Sequence, residues 1–139
     1  MTVLDDLAEV EAIVASARAA QLRFEANGSQ ARYDRAAQAA AWAIMEPSRN
    51  THLAELAVQT TGLGNVPDKI TKNHRKTLGL MRDISTAKTY GIISDNAETG
   101  ITEIARPIGV IGAVVPSTNP AATPANNIIN ALKCGNAIV

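Results

Sequence analysis

Apolar residues recur every three or four positions through residues 1–85, which is the spacing of one face of an α-helix. The face of a first helix is predicted to comprise Val3, Leu7, Val10, Val14 and Ala17. Asn27-Gly28-Ser29 then predicts a break, because glycine can end one helix and Ser29 can cap the next. We expect a second helix over residues 30–45, with a buried stripe formed by Ala36, Ala40 and Ile44.

A third helix is predicted between two breaks in the chain. Pro47 and the polar residues Ser48-Arg49-Asn50 are expected to end the second helix, because proline lacks the backbone N–H that a helix interior uses. Thr51 can then cap a third helix that runs to about Thr61. The glycines in Gly62-Leu63-Gly64-Asn65 predict its end.

A fourth helix is predicted to begin at Pro67-Asp68, with the proline near its first turn. Its inner stripe is expected to comprise Ile70, His74, Thr77, Leu78, Met81 and Ile84. Mostly off that stripe lie the basic residues Lys69, Lys72, Arg75 and Lys76. We interpret these basic residues as a solvated face and His74 as a packed residue, and we assign no metal site.

After Lys88 the pattern changes from helical to β-type. Tyr90-Gly91-Ile92-Ile93 and Ile101-Thr102-Glu103-Ile104 are short β-prone runs. Because the polar segment 95–100 between them ends in glycine, we expect a β-hairpin. Pro107 is expected to end it.

The last part of the chain predicts a βαβ unit. The apolar, β-branched run 108–115 is typical of a strand buried on both faces, and residues 116–120 form a rigid turn. A helix is expected from about residue 123 to 133, stopped by Gly135 and followed by another apolar strand at 137–139. This order predicts a parallel sheet with a right-handed crossover. Since a buried strand of three residues is too short to be complete, we expect the chain to be part of a longer protein.

The composition fits a folded domain and narrows the kinds of partner. Hydrophobic residues make up 46% and charged residues 19%, so the chain can bury a core. Thirteen acidic and 13 basic residues give no net charge, and aromatics are only 3%, so we expect no nucleic-acid partner. A single cysteine excludes an intrachain disulfide. Neither a secretory signal nor a membrane-spanning run is apparent, so we expect a cytoplasmic protein with no membrane contact.

Three segments together carry a family pattern. Residues 106–120 form an apolar strand that ends in Pro116-Ser117-Thr118-Asn119-Pro120, and Lys72-Asn73-His74 precedes a Tyr-Gly-x-Ile strand. Residues 131–139 join a helix to a second strand. These segments resemble aldehyde dehydrogenases of the coenzyme-A-acylating branch, which typically has Pro-(Ser/Thr)-Thr-Asn-Pro in the turn. That branch includes acylating sulfoacetaldehyde dehydrogenases and the aldehyde half of bifunctional aldehyde-alcohol dehydrogenases.

The resemblance implies an oxidoreductase that converts an aldehyde to an acyl-coenzyme A. The cofactor would be NAD or NADP, and coenzyme A would be the co-substrate. The intermediate would be a thioester on a cysteine outside this chain. Sulfoacetaldehyde, acetaldehyde and succinate semialdehyde are the candidate substrates, and this chain alone is expected to be inactive.

The resemblance also implies an α/β fold in a homo-oligomeric enzyme. Residues 1–88 would be the N-terminal helical region of the coenzyme domain, and residues 89–107 a β-hairpin that serves as the oligomerisation flap. Residues 108–139 would be the incomplete start of the Rossmann-like coenzyme domain, with its first βαβ unit.

Asn119 is the candidate oxyanion stabiliser. It is expected at the carboxyl end of the first parallel strand, where α/β sheets bind ligands, and its amide can donate a hydrogen bond. The resemblance implies this role for an asparagine of the turn. However, the commoner family pattern places asparagine two residues after the first proline, where this chain has Thr118, so Thr118 is the alternative. Pro116, Ser117 and Thr118 are candidate cofactor-binding residues, and a purely structural turn remains open.

Cys134 is rejected as the nucleophile. It is predicted to lie in the last turn of a helix, where the negative end of the helix dipole raises a thiol pKa. No histidine is near it in sequence to activate it.

Two other functions remain open. A hydrolytic aldehyde dehydrogenase would release a free acid, although that branch usually carries tryptophan and asparagine in the turn. A helical interaction module would need no catalysis, although the unfinished strand would then leave an apolar edge exposed.

Overall fold

A computed structural model describes residues 3–139, with side chains from Asp6 onward. Five helices and four strands are formed in this range. In chain order they are α1 (Val3–Ala26), α2 (Gln30–Met45), α3 (Pro47–Thr61), α4 (Val66–Ile84), β1 (Gly91–Asn96), β2 (Ile101–Ala105), β3 (Val110–Ile111), α5 (Ala122–Lys133) and β4 (Ala137–Ile138). None of the helices described is long and apolar enough to cross a membrane.

The strands form two separate pairs, as predicted. β1 and β2 make an antiparallel hairpin in which Gly91 is opposite Ala105. β3 and β4 are parallel, with Val110 opposite Ala137, and α5 is the crossover between them. The predicted α/β fold, with N-terminal helices, a β-hairpin and a first βαβ unit, is therefore confirmed.

Three of the predicted helix boundaries are marked by local features of the structure. Two are side-chain hydrogen bonds at helix starts, and one is a glycine at a helix end. Ser29 Oγ accepts from the backbone N–H of Arg32 at 3.2 Å at the start of α2. Asn65 Oδ1 accepts from the backbone N–H of Asp68 at 2.9 Å at the start of α4. Gly62 ends α3 in the left-handed conformation, with φ 67°.

The predicted start of α3 is wrong. Proline is favoured at a first helical position, so Pro47 begins α3 instead of merely ending α2. Glu46 provides the cap, since its carboxylate accepts from the backbone N–H groups of Ser48 at 3.1 Å and Arg49 at 2.9 Å. Hydrogen bonds from the Ser48 hydroxyl and these two N–H groups lower the pKa of Glu46 to about 2. Thr51 lies inside the helix, and its hydroxyl donates to the Pro47 carbonyl.

The buried stripe of α2 differs from the prediction by one position. The buried residues are Tyr33, Ala37, Ala41 and Ile44, so only Ile44 of the predicted stripe is correct. Alanine occurs in the predicted stripe, at 36 and 40, and in the observed stripe, at 37 and 41. The hydrophobic pattern therefore did not show which of the two stripes is buried. The register is decided by packing, because α2 lies against both α5 and α4.

The predicted faces of α4 and α1 are also partly wrong. On α4 the buried residues are Lys69, Asn73 and Thr77, while His74 is exposed. Asn73 is buried because its amide donates to Asn50 Oδ1 of α3 at 3.0 Å, so polar pairing sets this face. On the predicted apolar face of α1, Leu7 and Val10 are exposed and Val14 and Ala17 are half-buried, while the side chain of Val3 lies outside the described residues. The buried residue among the described side chains of α1 is Gln21, whose amide donates to the Gly135 carbonyl at 3.3 Å.

The strand expected at 108–115 is shorter and less buried than predicted. Only Val110 and Ile111 are strand residues, and Ile108 and Val114 are 84% and 95% exposed. The physical reason is that β4 is the single strand that pairs with β3 within residues 3–139. To be buried on both faces, a strand with this apolar pattern needs more packed elements around it than β4 and α1.

The buried ring of Tyr33 lies where several elements meet, beside the core cluster of Ala37, Ala41 and Ile129. It contacts the Phe24 ring at 5.0 Å between centroids and meets the Tyr90 ring edge-on at 5.5 Å. Gly135 approaches the ring so closely that an added β-carbon would lie 2.5 Å from Tyr33 Cε2. The side chain of Tyr33 therefore joins α1, α2, the segment before the hairpin and the junction between α5 and β4.

We predict that Gly135→Ala destabilises the chain strongly. The left-handed conformation of Gly135, with φ 73°, costs a residue with a β-carbon about 1–2 kcal/mol. Overpacking against Tyr33 adds about 1–3 kcal/mol. Gly62→Ala is the matched control, because φ is 67° there but nothing lies within 4 Å of the added atom. Urea unfolding followed by circular dichroism at low protein concentration should show a loss of about 1–2 kcal/mol for the control and clearly more for Gly135→Ala. Equal losses would show that the contact with Tyr33 carries no strain.

We also predict that the chain of residues 1–139 self-associates. The exposed apolar residues Ile108, Val114 and Val115 follow one another along the β3 segment, and such a surface promotes association. Size-exclusion chromatography should show a broad or early peak, and Val114→Lys should shift it toward the monomer. A sharp monomer peak for the unmodified chain would contradict this prediction.

Candidate functional site

The candidate site is the turn of residues 116–120, which joins β3 to α5. The structure brings Pro116, Ser117, Thr118 and Asn119 together at the carboxyl end of the parallel strand, as the sequence predicted. Pro116, Ser117 and Thr118 are exposed, whereas Asn119 is half-buried. The turn therefore has side chains that are open to ligands and one side chain that the protein partly covers.

Asn119 is held at both its backbone and its side chain. Its backbone N–H donates to the Pro116 carbonyl at 3.3 Å, which closes the turn. Its side-chain amide donates to Thr123 Oγ1 at 2.9 Å, in the first turn of α5. An amide group has two N–H donors, so one remains for a ligand oxygen while the other fixes the orientation of the side chain. This arrangement suits a donor that must be placed in advance of the reaction.

Thr118 differs from Asn119 in how it is held. Its side chain is exposed, and its carbonyl accepts from the Lys69 ammonium at 3.4 Å. Lys69 lies on α4 and is only 6% exposed. The prediction that Lys69 belongs to a solvated face is therefore wrong. The signal that could have identified the buried face is the four-residue spacing of Lys69, Asn73 and Thr77, which places them on one side of the helix.

The start of β3, and hence the position of the turn, depends on the junction between α5 and β4. Asn136 is buried, and its Oδ1 accepts from the backbone N–H groups of Ile108 at 2.7 Å and Gly109 at 3.0 Å. These bonds satisfy two donors of the incoming strand before its pairing with β4 begins. Sequence reasoning missed Asn136, because nothing in its local pattern distinguishes it from a turn residue.

A partly buried ion pair fixes the same junction to α2. Lys133 is 5% exposed, and its ammonium donates to the Asp34 carboxylate at 2.5 Å. Burial acts to raise the pKa of Asp34, but the hydrogen bonds from Lys133 and Gln30 outweigh it and lower this pKa below its ordinary value. The carboxylate therefore stays charged and keeps the lysine paired. Removing one partner alone would leave a costly unpaired charge.

Cys134 lies in this junction and not at the turn. Its thiol is half-buried, and burial raises its pKa, with an opposing effect of the nearby Lys133 ammonium. A raised pKa favours the neutral thiol, which is a weak nucleophile. The structure thus agrees with the rejection of Cys134.

The fold and the turn define the class of protein. The chain belongs to the aldehyde dehydrogenase family, whose profile matches residues 3–139. Among curated relatives, the acylating sulfoacetaldehyde dehydrogenase of Cupriavidus necator is 65% identical over 130 residues, which are 94% of this chain and 26% of that enzyme. The bifunctional aldehyde-alcohol dehydrogenase of Escherichia coli K12 is 35% identical over 96% of this chain and 15% of its own length. The chain therefore spans about a quarter or less of these relatives.

Solved structures give the same relationship. An acetylating aldehyde dehydrogenase from Geobacillus thermoglucosidasius matches with a TM-score of 0.89 and 36% identity, over 97% of this chain and 29% of that one. Propionaldehyde dehydrogenase from Rhodopseudomonas palustris, solved with bound propionyl-CoA, matches with a TM-score of 0.72 and 29% identity, over 92% of this chain and 27% of that one. An engineered glycolyl-CoA reductase with bound NADP+ also has a TM-score of 0.72, at 30% identity, over 92% of this chain and 28% of its own. The predicted resemblance to the acylating branch is confirmed.

We predict that the Cys134 thiol titrates at higher pH in the folded chain than in the unfolded chain. Because the folded pKa is raised, the thiol form persists to higher pH and the thiolate appears later. Alkylation by iodoacetamide reports one site only, since the chain has one cysteine. The midpoint of the rate against pH should lie above the midpoint measured for the same chain in urea. A folded midpoint below the unfolded one would restore Cys134 as a candidate nucleophile.

Proposed function

We propose that this chain supplies the first part of the coenzyme domain of an acylating aldehyde dehydrogenase. The enzyme would oxidise an aldehyde to an acyl-coenzyme A with NAD+ or NADP+. The observation that carries the proposal is the turn Pro116-Ser117-Thr118-Asn119-Pro120 at the carboxyl end of a parallel strand, in a chain similar to acylating enzymes. Among the candidate substrates, similarity to sulfoacetaldehyde dehydrogenases favours sulfoacetaldehyde over acetaldehyde and succinate semialdehyde. A cytoplasmic location remains a prediction.

The reaction requires an attacking cysteine, and we propose that it is a residue other than Cys134. In the folded chain the Cys134 thiol is kept neutral by burial and lies beside β4, away from the turn. The chain of residues 1–139 is therefore expected to have no dehydrogenase activity by itself. Attack of a thiolate on the aldehyde carbon moves negative charge onto the aldehyde oxygen, and this charge needs a placed donor.

We propose Asn119 as that donor. The N–H of Asn119 that is not bonded to Thr123 can donate to the aldehyde oxygen as its charge develops. Because the bond to Thr123 Oγ1 holds the amide plane, little reorganisation is needed during the reaction. Thr118 remains the alternative, since its hydroxyl is exposed at the same turn.

The turn also fits the cofactor role that we propose for Pro116, Ser117 and Thr118. All three are exposed at the carboxyl end of β3, and two of them carry hydroxyl groups that can donate or accept. When bound, the nicotinamide would supply the hydride acceptor, and coenzyme A would supply the thiol to which the acyl group is transferred. The residues of this chain would orient the bound groups through the turn, whose backbone is limited by Pro116 and Pro120.

The hairpin of residues 89–107 is proposed as an oligomerisation flap. It projects four isoleucines, Ile92, Ile93, Ile101 and Ile104, each 42–60% exposed. A two-stranded hairpin with apolar residues on its surface is stabilised when another surface covers it. This supports a homo-oligomer as the functional state. The regions 1–88 and 108–139 remain our proposed limits for the helical and Rossmann-like parts.

The proposed function is tested on the full-length enzyme. Purified protein should form acyl-coenzyme A from sulfoacetaldehyde, coenzyme A and NAD+ or NADP+, measured by nicotinamide absorbance and by mass of the product. A free acid as the sole product, independent of coenzyme A, would instead indicate a hydrolytic aldehyde dehydrogenase.

We predict that Asn119→Ala lowers kcat about a hundredfold in the full-length enzyme, because loss of one oxyanion donor costs about 3 kcal/mol. The KM for the cofactor should change much less, since the lost bond is to the aldehyde oxygen. Steady-state kinetics measure both. Thr118→Ala is the control for register: if it lowers kcat and Asn119→Ala does not, the threonine is the donor. If neither variant lowers kcat, the turn has a structural role only.

A further inference from the structure

Lys69 is a buried cation without a buried anion beside it. Its side chain is 6% exposed, yet within the described range no carboxylate lies within 4.0 Å of its ammonium group. Its one hydrogen bond there is the 3.4 Å contact with the Thr118 carbonyl. An ammonium has three donors, so this single long bond leaves most of its capacity unused. Burying a charge in this way is costly unless something else pairs with it.

The unused donors of Lys69 lie at a cavity. It is an open cavity of about 160 Å³ between the start of α4 and the candidate turn, with Lys69, Lys72, Asp68 and Thr118 among its lining residues. The Asp68 carboxylate is already bonded to the Asn65 amide at 2.7 Å. Two lysines against one aspartate give the lining a net charge of +1 (2 − 1). The positive end of the α4 dipole adds to this potential.

We propose that Lys69 binds the sulfonate of a short sulfonated aldehyde, so that the cavity beside Thr118 is the anion subsite of the substrate. This rests on the proposed function, and it explains how such a substrate would be distinguished from an uncharged aldehyde. In sulfoacetaldehyde one methylene separates the sulfur from the carbonyl carbon. The group that binds the sulfonate must therefore lie next to the group that holds the aldehyde oxygen. Lys69 fits this requirement, because its ammonium is bonded to the carbonyl of Thr118 and Thr118 is the residue directly before Asn119.

The size and polarity of the cavity agree with a sulfonate. A volume of about 160 Å³ is well above the roughly 10–15 Å³ that a cavity needs in order to hold one water molecule. A sulfonate group with its methylene and a few waters fits in that space. Its three oxygens can accept from the Lys69 ammonium, and Lys72, half-buried one helical turn farther along α4, supplies a second positive charge.

The test compares two aldehydes on the full-length enzyme, with kcat/KM measured for sulfoacetaldehyde and for uncharged propionaldehyde. For Lys69→Met, the ratio of these two values should fall about 10- to 100-fold, the usual worth of a hydrogen bond to a charged group. The loss should appear mainly in KM for sulfoacetaldehyde. Lys69→Arg should retain most of the ratio, because it keeps the charge. Lys76→Met, an exposed lysine on the same helix, is the matched control and should leave the ratio unchanged.

A second measurement begins with the wild-type enzyme, so its first result does not depend on the folding of a variant. Ethanesulfonate has the same anionic group but no aldehyde, and it should inhibit the wild-type enzyme competitively with sulfoacetaldehyde. Lys69→Gln and Lys69→Met should weaken this inhibition by a similar factor.

Three results would overturn the inference. An equal loss of kcat/KM for both aldehydes would show that Lys69 only positions the turn. An unchanged ratio would show that the sulfonate is bound elsewhere. An enzyme that turns over propionaldehyde with coenzyme A but is not inhibited by ethanesulfonate would retain the proposed function and lose this subsite. Absence of turnover with every aldehyde would refute the proposed function itself.

Discussion

The arrangement of this chain depends on one close contact, the packing of the Tyr33 ring against the backbone of Gly135. The ring is fully buried and reaches α1 through Phe24 and the segment before the hairpin through Tyr90. Only a residue without a side chain can lie where Gly135 does, and only glycine adopts its left-handed conformation without strain. Because Gly135 is the step from α5 into β4, the ring determines where the second parallel strand begins.

The candidate site is linked to this junction by polar contacts, which act together with the apolar packing of Ile129 of α5 against Ala37 and Ala41 of α2. The Lys133–Asp34 ion pair attaches the end of α5 to α2, and Asn136 attaches the start of β3 to the same junction. β3 then leads directly into the turn, whose far side is held by Lys69 from α4. Such an ion pair adds little net stability compared with apolar packing, but loss of either partner leaves the other charge without its counter-charge. Polar anchors of this kind suit a turn whose donors must be placed accurately.

The sequence predicted the order and type of the elements well, because turns and caps leave local signals. Ser29, Gly62 and Gly135 were each assigned their roles from neighbouring residues alone. The faces of the helices were predicted less well. Hydrophobic periodicity assumes that apolar residues are the buried ones, whereas α4 buries Lys69, Asn73 and Thr77 and exposes Leu78. Which face of an alanine-rich helix such as α2 is buried depends on distant neighbours, and a single sequence does not encode them locally. The turn itself was found through a family pattern, while its support by Lys69 is a contact between residues 49 positions apart.

The bonds made by Asn136 also bear on the order in which the chain can fold. The two N–H groups at the start of β3 are satisfied by a side chain 27 and 28 residues farther along, across the turn and the whole of α5. Closing a loop of this length lowers the conformational entropy of the chain before the contact stabilises it. Such pairings therefore form later than local helices. The first strand of the sheet is therefore expected to remain unformed until the segment after α5 has been made and has docked on α2. During synthesis the candidate turn would be among the last parts of the chain to take its final shape, although it precedes the residues that fix it.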